Sequence, residues 1–503
     1  MPDIDIDDVI PEEVDDEWSL SRRQAMALGG AAGLAGLAGC SGGGGGSEGG
    51  SEGGDSGSNT DTGTSGGGGD SGGGEVHVLT DYNNEAWQKK WENKLVPAFE
   101  EQSDYTVRME YSGFSGDQES RLANLVQSGD PPGFNTSTFE QVGDLFLSDQ
   151  LAEVGDVVAD AEEVAGELTT KPYHEGDKYW QVTHGGYASV LHYRQDVYDE
   201  LGLEVPTTFQ ELLENARIID ESDLDIRGYG LAGSKTGKAH DEFQVFLSNM
   251  GASELRFEDP EAKENVEVWF PEEEITTLLE YFKELSQYSP DPTNVGWGAS
   301  LRNWAGGQFA QQYNLNMWPA GVAAAVGANK IAKNTEVAPL PLWEEGGITK
   351  EDSYLSNPTP DGHNVFAEAD NTQGAKEFLR FLYGSETNRT ARMYETEPTR
   401  FLPAYGDVVD SDAFQNYGLW EKFPGILEGL QRVNNEIVPE YYGNVEGSGV
   451  LSNSKIGVYY YRFFFQAEMI NQVVTETSTP QEAYEFGLQR ANEVVKEARS
   501  RIQ

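Results

Sequence analysis

Apolar and polar positions switch between strand-like and helix-like spacing throughout residues 75–503. Residues 76–79 form an apolar run that predicts a short strand, and residues 107–111 and 190–193 alternate like further strands. Bulky apolar side chains recur every four positions after the first strand, as on one face of a helix: Trp87, Trp91, Leu95 and Phe99. Strands that alternate with helices in this way predict α/β lobes with mainly parallel sheets.

Helix boundaries can be predicted from capping residues. Thr208 and Glu211 have the spacing of a capping box, and the helix after them presents apolar residues at 212, 213, 216 and 219. Thr479, Pro480 and Glu482 supply a cap, a first-turn proline and a capping acid before the last helix. Helical spacing also predicts helices at 275–285 and 378–382.

Residues 1–40 have the layout of an export signal. Nine acidic residues and no basic residue lie in 1–20, before Arg22, Arg23 and a short, weakly apolar stretch at 27–39. The paired arginines resemble a twin-arginine signal, which a receptor reads during export. The ending LAGC resembles a lipobox, in which Cys40 is lipidated and becomes the mature N-terminus. The alternative is a flexible tail with a chance arginine pair.

Residues 41–74 follow as a linker in which 18 of 34 residues are glycine, and most others are Ser, Thr, Asp or Glu. This composition buries too little apolar surface to offset the entropy of ordering. A random coil of this length spans roughly 30–35 Å between its ends. We therefore expect a disordered tether between the lipid anchor and the folded body.

Charge changes the picture further. The chain has 86 acidic and 34 basic side chains, so its net charge is −52; residues 75–503 alone, with 72 acidic and 32 basic side chains, carry −40. Such a field repels phosphate backbones and argues against nucleic-acid binding. Molar salt screens it, because the Debye length is then about 3 Å. The composition therefore indicates a protein that works in brine, such as one from a halophilic archaeon.

Motifs for metal or covalent catalysis are absent from the sequence. The six histidines form no HExxH pattern or close pair, and the single cysteine, Cys40, excludes a disulfide framework. The phosphate-loop-like stretch at 233–238 has Ala232 and Ala239 where the motif needs Gly and Ser or Thr. No G-x-S-x-G elbow occurs. Acidic residues are so numerous that a glycosidase pair stays open, but none is singled out.

One feature of the composition suggests a ligand. Tryptophans recur in polar, turn-rich segments: Trp180, Trp297, Trp304, Trp318, Trp343 and Trp420. An aromatic face beside carboxylates and amides suits a sugar, whose ring has an apolar face and an equator of hydroxyl groups. The alternative is that most of these side chains are core anchors.

Short motifs in a fixed order carry a family resemblance. They are ESRLANLVQSGDPP (119–132), LAEV (151–154), GDKYWQV (176–182), VLHYRQDVY (190–198), LGLEVPTTFQEL (201–212), WAGGQFA (304–310), AKEFL (375–379) and FLPA (401–404). In this order they resemble the family 1 extracellular solute-binding proteins of ABC importers, the maltose-binding-protein-like group. The sequence departs from that pattern at 133–134, where Gly and Phe replace an acid and a valine, and at 361–363, where DGH stands for GGW.

The resemblance implies an α/β, two-lobed periplasmic-binding-protein-like fold with a hinge and an interlobe ligand cleft. It places crossings near Gly186, Glu336 and Arg389. Lobe 1 then comprises 75–185 and 336–389, and lobe 2 comprises 187–335 and 390–503. It also implies a binding protein rather than an enzyme, a monomer without cofactor or metal that docks on a membrane permease.

Cleft residues carry over where a motif anchors them. Trp304 and Trp318 are expected as stacking platforms, and Arg400 is expected to bridge hydroxyl groups or a carboxylate. The full predicted set is Asn83, Glu85, Thr138, Glu140, His184, Tyr187, Asp241, Trp304, Trp318, Asp361, Gly362 and Arg400.

The leading hypothesis is a lipid-anchored receptor on the outer face of the cytoplasmic membrane that delivers a sugar or oligosaccharide to an importer. A second hypothesis keeps the fold but binds a glycerophosphodiester, a polyamine or a peptide. A secreted glycan hydrolase and a purely structural surface lipoprotein are further alternatives.

Overall fold

The computed structural model describes residues 73–81, 85–112, 116–258, 265–343, 346–352, 359–383, 399–441 and 454–502. The predicted signal residues Arg22 and Arg23, the lipidation site Cys40, nearly all of the tether, and Arg389 lie outside these ranges.

The strands are short and run through the described part of the chain. They are β1 Glu75–Thr80, β2 Thr106–Tyr111, β3 Phe134–Thr138, β4 His174–Glu175, β5 Lys178–Tyr179, β6 Val182–Tyr187, β7 Ser189–Arg194, β8 Leu255–Phe257, β9 Val266–Val268, β10 Gln311–Leu315, β11 Thr335–Ala338, β12 Thr359–Val365 and β13 Leu402–Pro403.

Helices fill most of the remaining length. They are α1 Glu85–Lys90, α2 Val96–Gln102, α3 Gly116–Ser128, α4 Gly143–Leu147, α5 Gly155–Ala165, α6 Gln195–Leu201, α7 Phe209–Asp220, α8 Gly237–Ser248, α9 Glu272–Leu285, α10 Trp297–Ala305, α11 Trp318–Ala325, α12 Asn329–Lys333, α13 Thr372–Tyr383, α14 Asp412–Gln415, α15 Gly418–Lys422, α16 Pro424–Arg432, α17 Val438–Tyr441, α18 Lys455–Tyr461, α19 Phe465–Val474 and α20 Pro480–Ile502. Trp91–Leu95 and Val433–Ile437 are π-helical, and Phe139–Val142, Ser286–Tyr288, Pro292–Asn294 and Lys350–Asp352 are 3-10 helices.

The first strand and helix show how the sequence pattern becomes structure. The π-helical turn joins α1 to α2, and Trp87 stacks on Trp91 with ring centres 4.2 Å apart. A strict four-residue spacing drifts around an α-helix of 3.6 residues per turn. A wider π turn offsets part of that drift, so Trp87, Trp91 and Phe99 all stay buried against the sheet.

Lobe 1 is built on a six-stranded sheet with the order β13-β6-β12-β3-β1-β2. The strand β1 pairs in parallel with β2 and β3, whereas β12 runs antiparallel to both β3 and β6. Lobe 2 is built on a three-stranded sheet, β10-β7-β11, in which both pairings are antiparallel. The α/β class is confirmed, but the expectation of mainly parallel sheets is wrong.

Both predicted capping boxes are present. The Thr208 side chain accepts from the backbone of Glu211 while the Glu211 carboxylate accepts from Thr208 N, at the start of α7. Thr479 and Glu482 make the same reciprocal pair at the start of α20. The second of these helices, α20, packs against α9, α18 and α19.

The chain crosses between the lobes at places that partly differ from the prediction. It first leaves lobe 1 at Ala188, between β6 and β7, beside the predicted Gly186. Glu336 instead pairs with Tyr193 inside β11 of the smaller sheet, so the predicted boundary there cuts a strand of lobe 2. Trp343 still bonds to Asn249 of lobe 2, which places the return after that residue.

Residues 390–503 do not all belong to lobe 2, as the prediction assigned them. Strand β13 pairs with β6 in the larger sheet, through Leu402 with Gly186 and Pro403 with Gly185. Tyr405 then forms a bridge with Leu168 of lobe 1. A two-residue strand leaves no periodicity in the sequence, which is why its partner could not be predicted.

Candidate functional site

The first crossing and its neighbours form the floor of a site between the lobes. Tyr187 ends β6, and its hydroxyl group donates to Asp361 Oδ2 on the adjacent strand β12 at 2.5 Å. Arg400 Nη2 donates to the same hydroxyl oxygen at 3.0 Å. All three side chains are buried, so a carboxylate, a phenol and a guanidinium are joined where the lobes meet.

Arg400 also lies among aromatic rings. Its guanidinium carbon is 4.6 Å from the ring centre of Trp318, 5.0 Å from that of Phe401 and 5.6 Å from that of Tyr187. Aromatic faces attract cations, and burial strengthens that attraction. Arg400 is therefore held in place by the first turn of α11 on one side and by the crossing strand on the other.

A residue that the sequence reasoning missed ties the crossing segments together. Asn316, which follows β10 with a φ of 43°, accepts from Ala188 N at 3.0 Å through Oδ1. Its Nδ2 donates to Gly186 O at 3.1 Å and to Arg400 O at 2.6 Å. Asn tolerates the left-handed conformation better than most residues. An Asn between a strand and a tryptophan-led helix is the only signal the sequence offers for it.

The wall contributed by lobe 1 is the turn after β3. Thr138 stands directly before the 3-10 helix Phe139–Val142, and Glu140 is the second residue of that helix. Glu140 is 3% exposed, and within the described residues its Oε2 atom has no hydrogen-bond partner. Burial, aided by the charges of Asp241 and Asp361, raises the pKa of Glu140 to about 7.

The facing wall is the start of α8 in lobe 2 together with the end of α18, a helix that packs both on α20 of lobe 2 and on α4 of lobe 1. The hydroxyl group of Tyr461 donates to Asp241 Oδ1. Burial raises the pKa of Asp241 to about 7, against the lowering effects of Tyr461 and Lys238. The charges of Asp241 and Glu140 both act on the phenol of Tyr461, so the two carboxyl groups lie near the same ring. We call the space between these two carboxyl groups the gap.

Lys238 lies beneath that wall and was not predicted. It is fully buried, its Nζ donates to Tyr313 O at 2.8 Å, and it lies 3.7 Å from Glu242 Oε2. The Nζ is also 5.2 Å from the ring centre of Trp297, which in turn lies 5.9 Å from the ring of Trp318. Lys238 belongs to the phosphate-loop-like stretch, and its charge is used inside the protein.

His184 stands behind the floor. Its Nε2 is 3.8 Å from Asp361 Oδ1, and its ring packs against Phe401 with the centres 4.7 Å apart. Burial, with the nearby Arg400 charge, lowers the pKa of His184 to about 3, so the ring is neutral.

The structure brings most of the predicted set together. The residues that share this gap or its floor are Thr138, Glu140, His184, Tyr187, Asp241, Trp318, Asp361 and Arg400; we call them the cleft cluster. Asn83 lies outside the described residues, and Glu85 opens α1 with no description of its side chain.

Two predicted residues lie elsewhere, which corrects the prediction. Trp304 is fully buried in the core of lobe 2, where its Nε1 donates to Thr335 Oγ1 at 3.0 Å and its ring lies 5.8 Å from that of Phe309. Gly362 is packed inside the larger sheet, where an added Cβ would lie 2.3 Å from Val182 O. Neither residue faces the gap, because Trp304 fills the core of lobe 2 and Gly362 lies where the backbones of β12 and β6 are too close for a side chain.

The arrangement of lobes, gap and crossings defines a class of protein. Two lobes, each with its own sheet, meet where carboxylates, aromatic rings and one guanidinium lie together, and the crossing segments run beside these side chains. This is the architecture of a two-lobed solute-binding protein. The chain belongs to the family described as bacterial extracellular solute-binding protein, whose family model matches residues 80–389. The predicted family is confirmed.

Solved structures of similar fold include three that were reported with α-D-tagatose, acarbose or maltose. A solute-binding protein from Thermotoga lettingae TMO bound with α-D-tagatose has a TM-score of 0.63 and 17% identity, over 84% of this chain and 100% of that one. The GacH receptor of Streptomyces glaucescens GLA.O, solved unliganded and with acarbose, has a TM-score of 0.62 and 19% identity, over 84% and 98%. Maltose-bound T. maritima MalE3 gives 0.62 and 14%, over 84% and 99%.

Three further observations, on curated sequences, membrane-spanning helices and metal sites, are negative. No curated protein sequence matches the chain. Among the described residues, no helix has the length and apolarity needed to cross a membrane. The same residues contain no group of three or more His, Cys, Asp or Glu side chains arranged to hold a metal ion.

Proposed function

We propose that this protein is the substrate-binding lipoprotein of an ABC importer, which captures a sugar or oligosaccharide between its lobes and delivers it to a membrane permease. The observation that carries the proposal is that Glu140 of lobe 1 and Asp241 of lobe 2 are close enough for the Asp241 charge to act on Glu140, near the floor of Tyr187, Asp361 and Arg400.

Polar groups on both walls explain how a ligand would close the protein. A ligand shifts a hinge equilibrium only by the contacts that it gains in the closed form. A ligand can donate hydroxyl groups to Glu140 and to Asp241 at the same time only when the lobes are together. Asn316 ties the segments at Gly186–Ala188 and Arg400 to each other beside these walls.

A sugar suits the lining better than an anionic solute. The rings of Trp318 and Trp297 supply apolar surface for the face of a pyranose, and carboxylates supply acceptors for its hydroxyl groups. A glycerophosphodiester would meet Glu140, Asp241 and Asp361 with the same sign of charge. The sugars reported with relatives of the same fold agree with this choice.

A thermal-shift screen of mono- and oligosaccharides in molar salt, followed by calorimetry on the hits, tests the proposal. We expect saturable one-to-one binding, with the sugar recovered unchanged after long incubation. Cleaved products would favour a hydrolase instead. A screen in which no sugar raises the melting temperature, while a polyamine or peptide does, would overturn the sugar assignment.

Export and anchoring form a separate part of the proposal. Arg22 and Arg23 would direct export, Cys40 would carry the lipid, and residues 41–74 would tether the body outside the membrane. Replacing Cys40 with Ser should release the protein from the cell surface into the medium. Replacing both arginines with lysine should leave it inside the cell. Retention of the Cys40→Ser protein on the membrane would contradict the lipid anchor.

A further inference from the structure

One carboxyl oxygen of Glu140 is buried without a hydrogen-bond partner among the described residues. Only 3% of the residue is exposed, and within the described residues its Oε2 atom makes no hydrogen bond. The carboxyl group is otherwise hydrogen-bonded by the Thr138 side chain and by the backbone of Glu140 itself. A buried polar atom without a partner is costly, and a ligand that completes it is one explanation for its presence. Asp241 on the facing wall and Asp361 on the floor are close enough for their charges to act on Glu140.

The cations near this gap already have partners. Lys238 is bonded to Tyr313 O and paired with Glu242 below the wall. Arg400 is bonded to Tyr187 and lies against the rings of Trp318 and Phe401. Within the described part of the chain, the gap between Glu140 and Asp241 therefore has an excess of negative charge.

We propose that the ligand carries a protonated amine, as in an amino sugar, and that Glu140 of lobe 1 and Asp241 of lobe 2 hold this ammonium group between them. The inference rests on the proposed function, because it specifies the class of sugar for the same cleft. An ammonium group has three N–H donors and no acceptor, which matches several carboxylate oxygens at once. A hydroxyl group offers one donor and leaves the carboxylate charge uncompensated.

The physical gain is specific to the closed form. A charge-assisted hydrogen bond is roughly twice as strong as a neutral one. Both carboxyl groups have a pKa near 7 in the protein alone, and a bound cation would lower both pKa values by pairing with the charged forms. An amino sugar should therefore release protons on binding, whereas a neutral sugar should not.

Paired ligands that differ only in the replacement of 2-hydroxyl groups by 2-amino groups test this inference. The probes are glucose, galactose and mannose with their 2-amino forms, and cellobiose with its fully deacetylated 2-amino analogue, chitobiose. Isothermal titration in molar salt and mildly acidic buffer should show at least one amino sugar binding about tenfold or more tightly than its hydroxyl partner. Repeating the titration in buffers of different ionisation enthalpy should reveal proton release for the amino form alone.

Glu140→Gln and Glu254→Gln form a matched pair of variants. Glu254 is another fully buried carboxyl group with a pKa near 7, but it accepts from Gln466 and Tyr460 inside lobe 2. We expect Glu140→Gln to reduce the ratio of the two dissociation constants to about one, and Glu254→Gln to leave the ratio unchanged. The ratio is measured within one variant, so a general loss of stability does not mimic the effect.

The outcomes separate the two proposals. Neutral sugars that bind as tightly as their amino forms, or a preference that survives Glu140→Gln, would overturn the amine inference while the sugar receptor stands. Absence of binding by every sugar in both series would contradict the receptor function itself. Binding of spermidine without any sugar would overturn both.

Discussion

The guanidinium carbon of Arg400 lies 4.6 Å from the centre of the Trp318 ring. Trp318 belongs to the first turn of α11, and Arg400 belongs to the segment that re-enters the larger sheet just before β13. One contact therefore links lobe 2 to a strand of lobe 1. It also changes the expected role of Trp318, because part of its aromatic surface already holds a cation that anchors the hinge floor.

Removing Trp318 should weaken ligand binding through this contact. A desolvated cation–π pair is worth about 2 kcal/mol, so Trp318→Ala should lower affinity for the best sugar by about tenfold to thirtyfold. Trp318→Phe keeps an aromatic face and should recover part of the loss. Calorimetry on both variants gives the comparison. Equal affinity of the wild-type and Ala proteins would remove Trp318 from the site.

Trp304 should behave in the opposite way. Its ring is fully buried and its indole N–H is satisfied by Thr335, so Trp304→Ala should cost about 3–5 kcal/mol of folding stability. The fraction that remains folded should bind sugar with unchanged affinity. Urea unfolding and calorimetry of the same sample measure the two quantities separately. A stable Trp304→Ala protein with weakened binding would return Trp304 to the cleft.

The sequence predicts local structure well where the spacing of residues follows directly from the period of a strand or helix or from a capping motif. The capping boxes, the strands at 76–79 and 190–193, and the buried face of α1 and α2 all follow from period and capping residues. It does not separate Trp304 from Trp318, since both lie near helix ends in the same motif. Which of them faces the gap depends on how α10 and α11 pack on β10, and that is a tertiary fact.

The predicted set includes all three floor residues, but the sequence does not predict that they contact one another. Asp361, Tyr187 and Arg400 are far apart in sequence and meet only because β12 and β13 both pair with β6. Lys238 and Tyr461 contribute through long-range contacts that leave no local pattern. The family motifs identify Glu140 and Asp241, but the position of these two residues beside the gap follows from the packing of α18 near the turn after β3.

The unusual pKa of Glu140 predicts a pH-dependent stability. In the folded protein the pKa is about 7, against an ordinary value of 4.5, so the folded chain holds the proton more tightly. The stabilisation is full below about pH 4.5, falls as pH rises towards 7, and is lost above it. The difference corresponds to about 3 kcal/mol. Glu140→Gln removes this dependence.

Unfolding free energies of the wild-type and Glu140→Gln proteins, measured in urea at fixed molar salt between pH 5 and 8.5, check this expectation. The variant should gain relative to the wild type as pH rises, and the gain should level off above about pH 7.5. Titrating groups that do not interact with Glu140 affect both proteins and largely cancel in the difference. A difference that is independent of pH would contradict the raised pKa.

Gly362 should be required for folding rather than for ligand contact. It lies at an irregularity between β12 and β6, and an added Cβ would stand 2.3 Å from Val182 O and 2.8 Å from Thr183 Cα. Gly362→Ala should therefore lose about 1–3 kcal/mol through forced backbone movement. Gly406→Ala is the matched control, because its nearest neighbour would be Glu167 O at 3.8 Å. Equal urea midpoints for the two variants would refute the steric argument.

The net charge of −40 over residues 75–503 predicts that the folded body depends on salt. Like charges repel over about 30 Å at 0.01 M salt but over only about 3 Å at 1 M. The melting temperature and the sugar affinity should therefore rise together between dilute buffer and molar KCl. Sucrose, which favours burial without screening charge, should raise the melting temperature far less at equal osmolality. A protein that stays fully folded and binds sugar equally well in dilute buffer would show that charge repulsion does not limit its stability. That result would also contradict the inference that the protein works in brine.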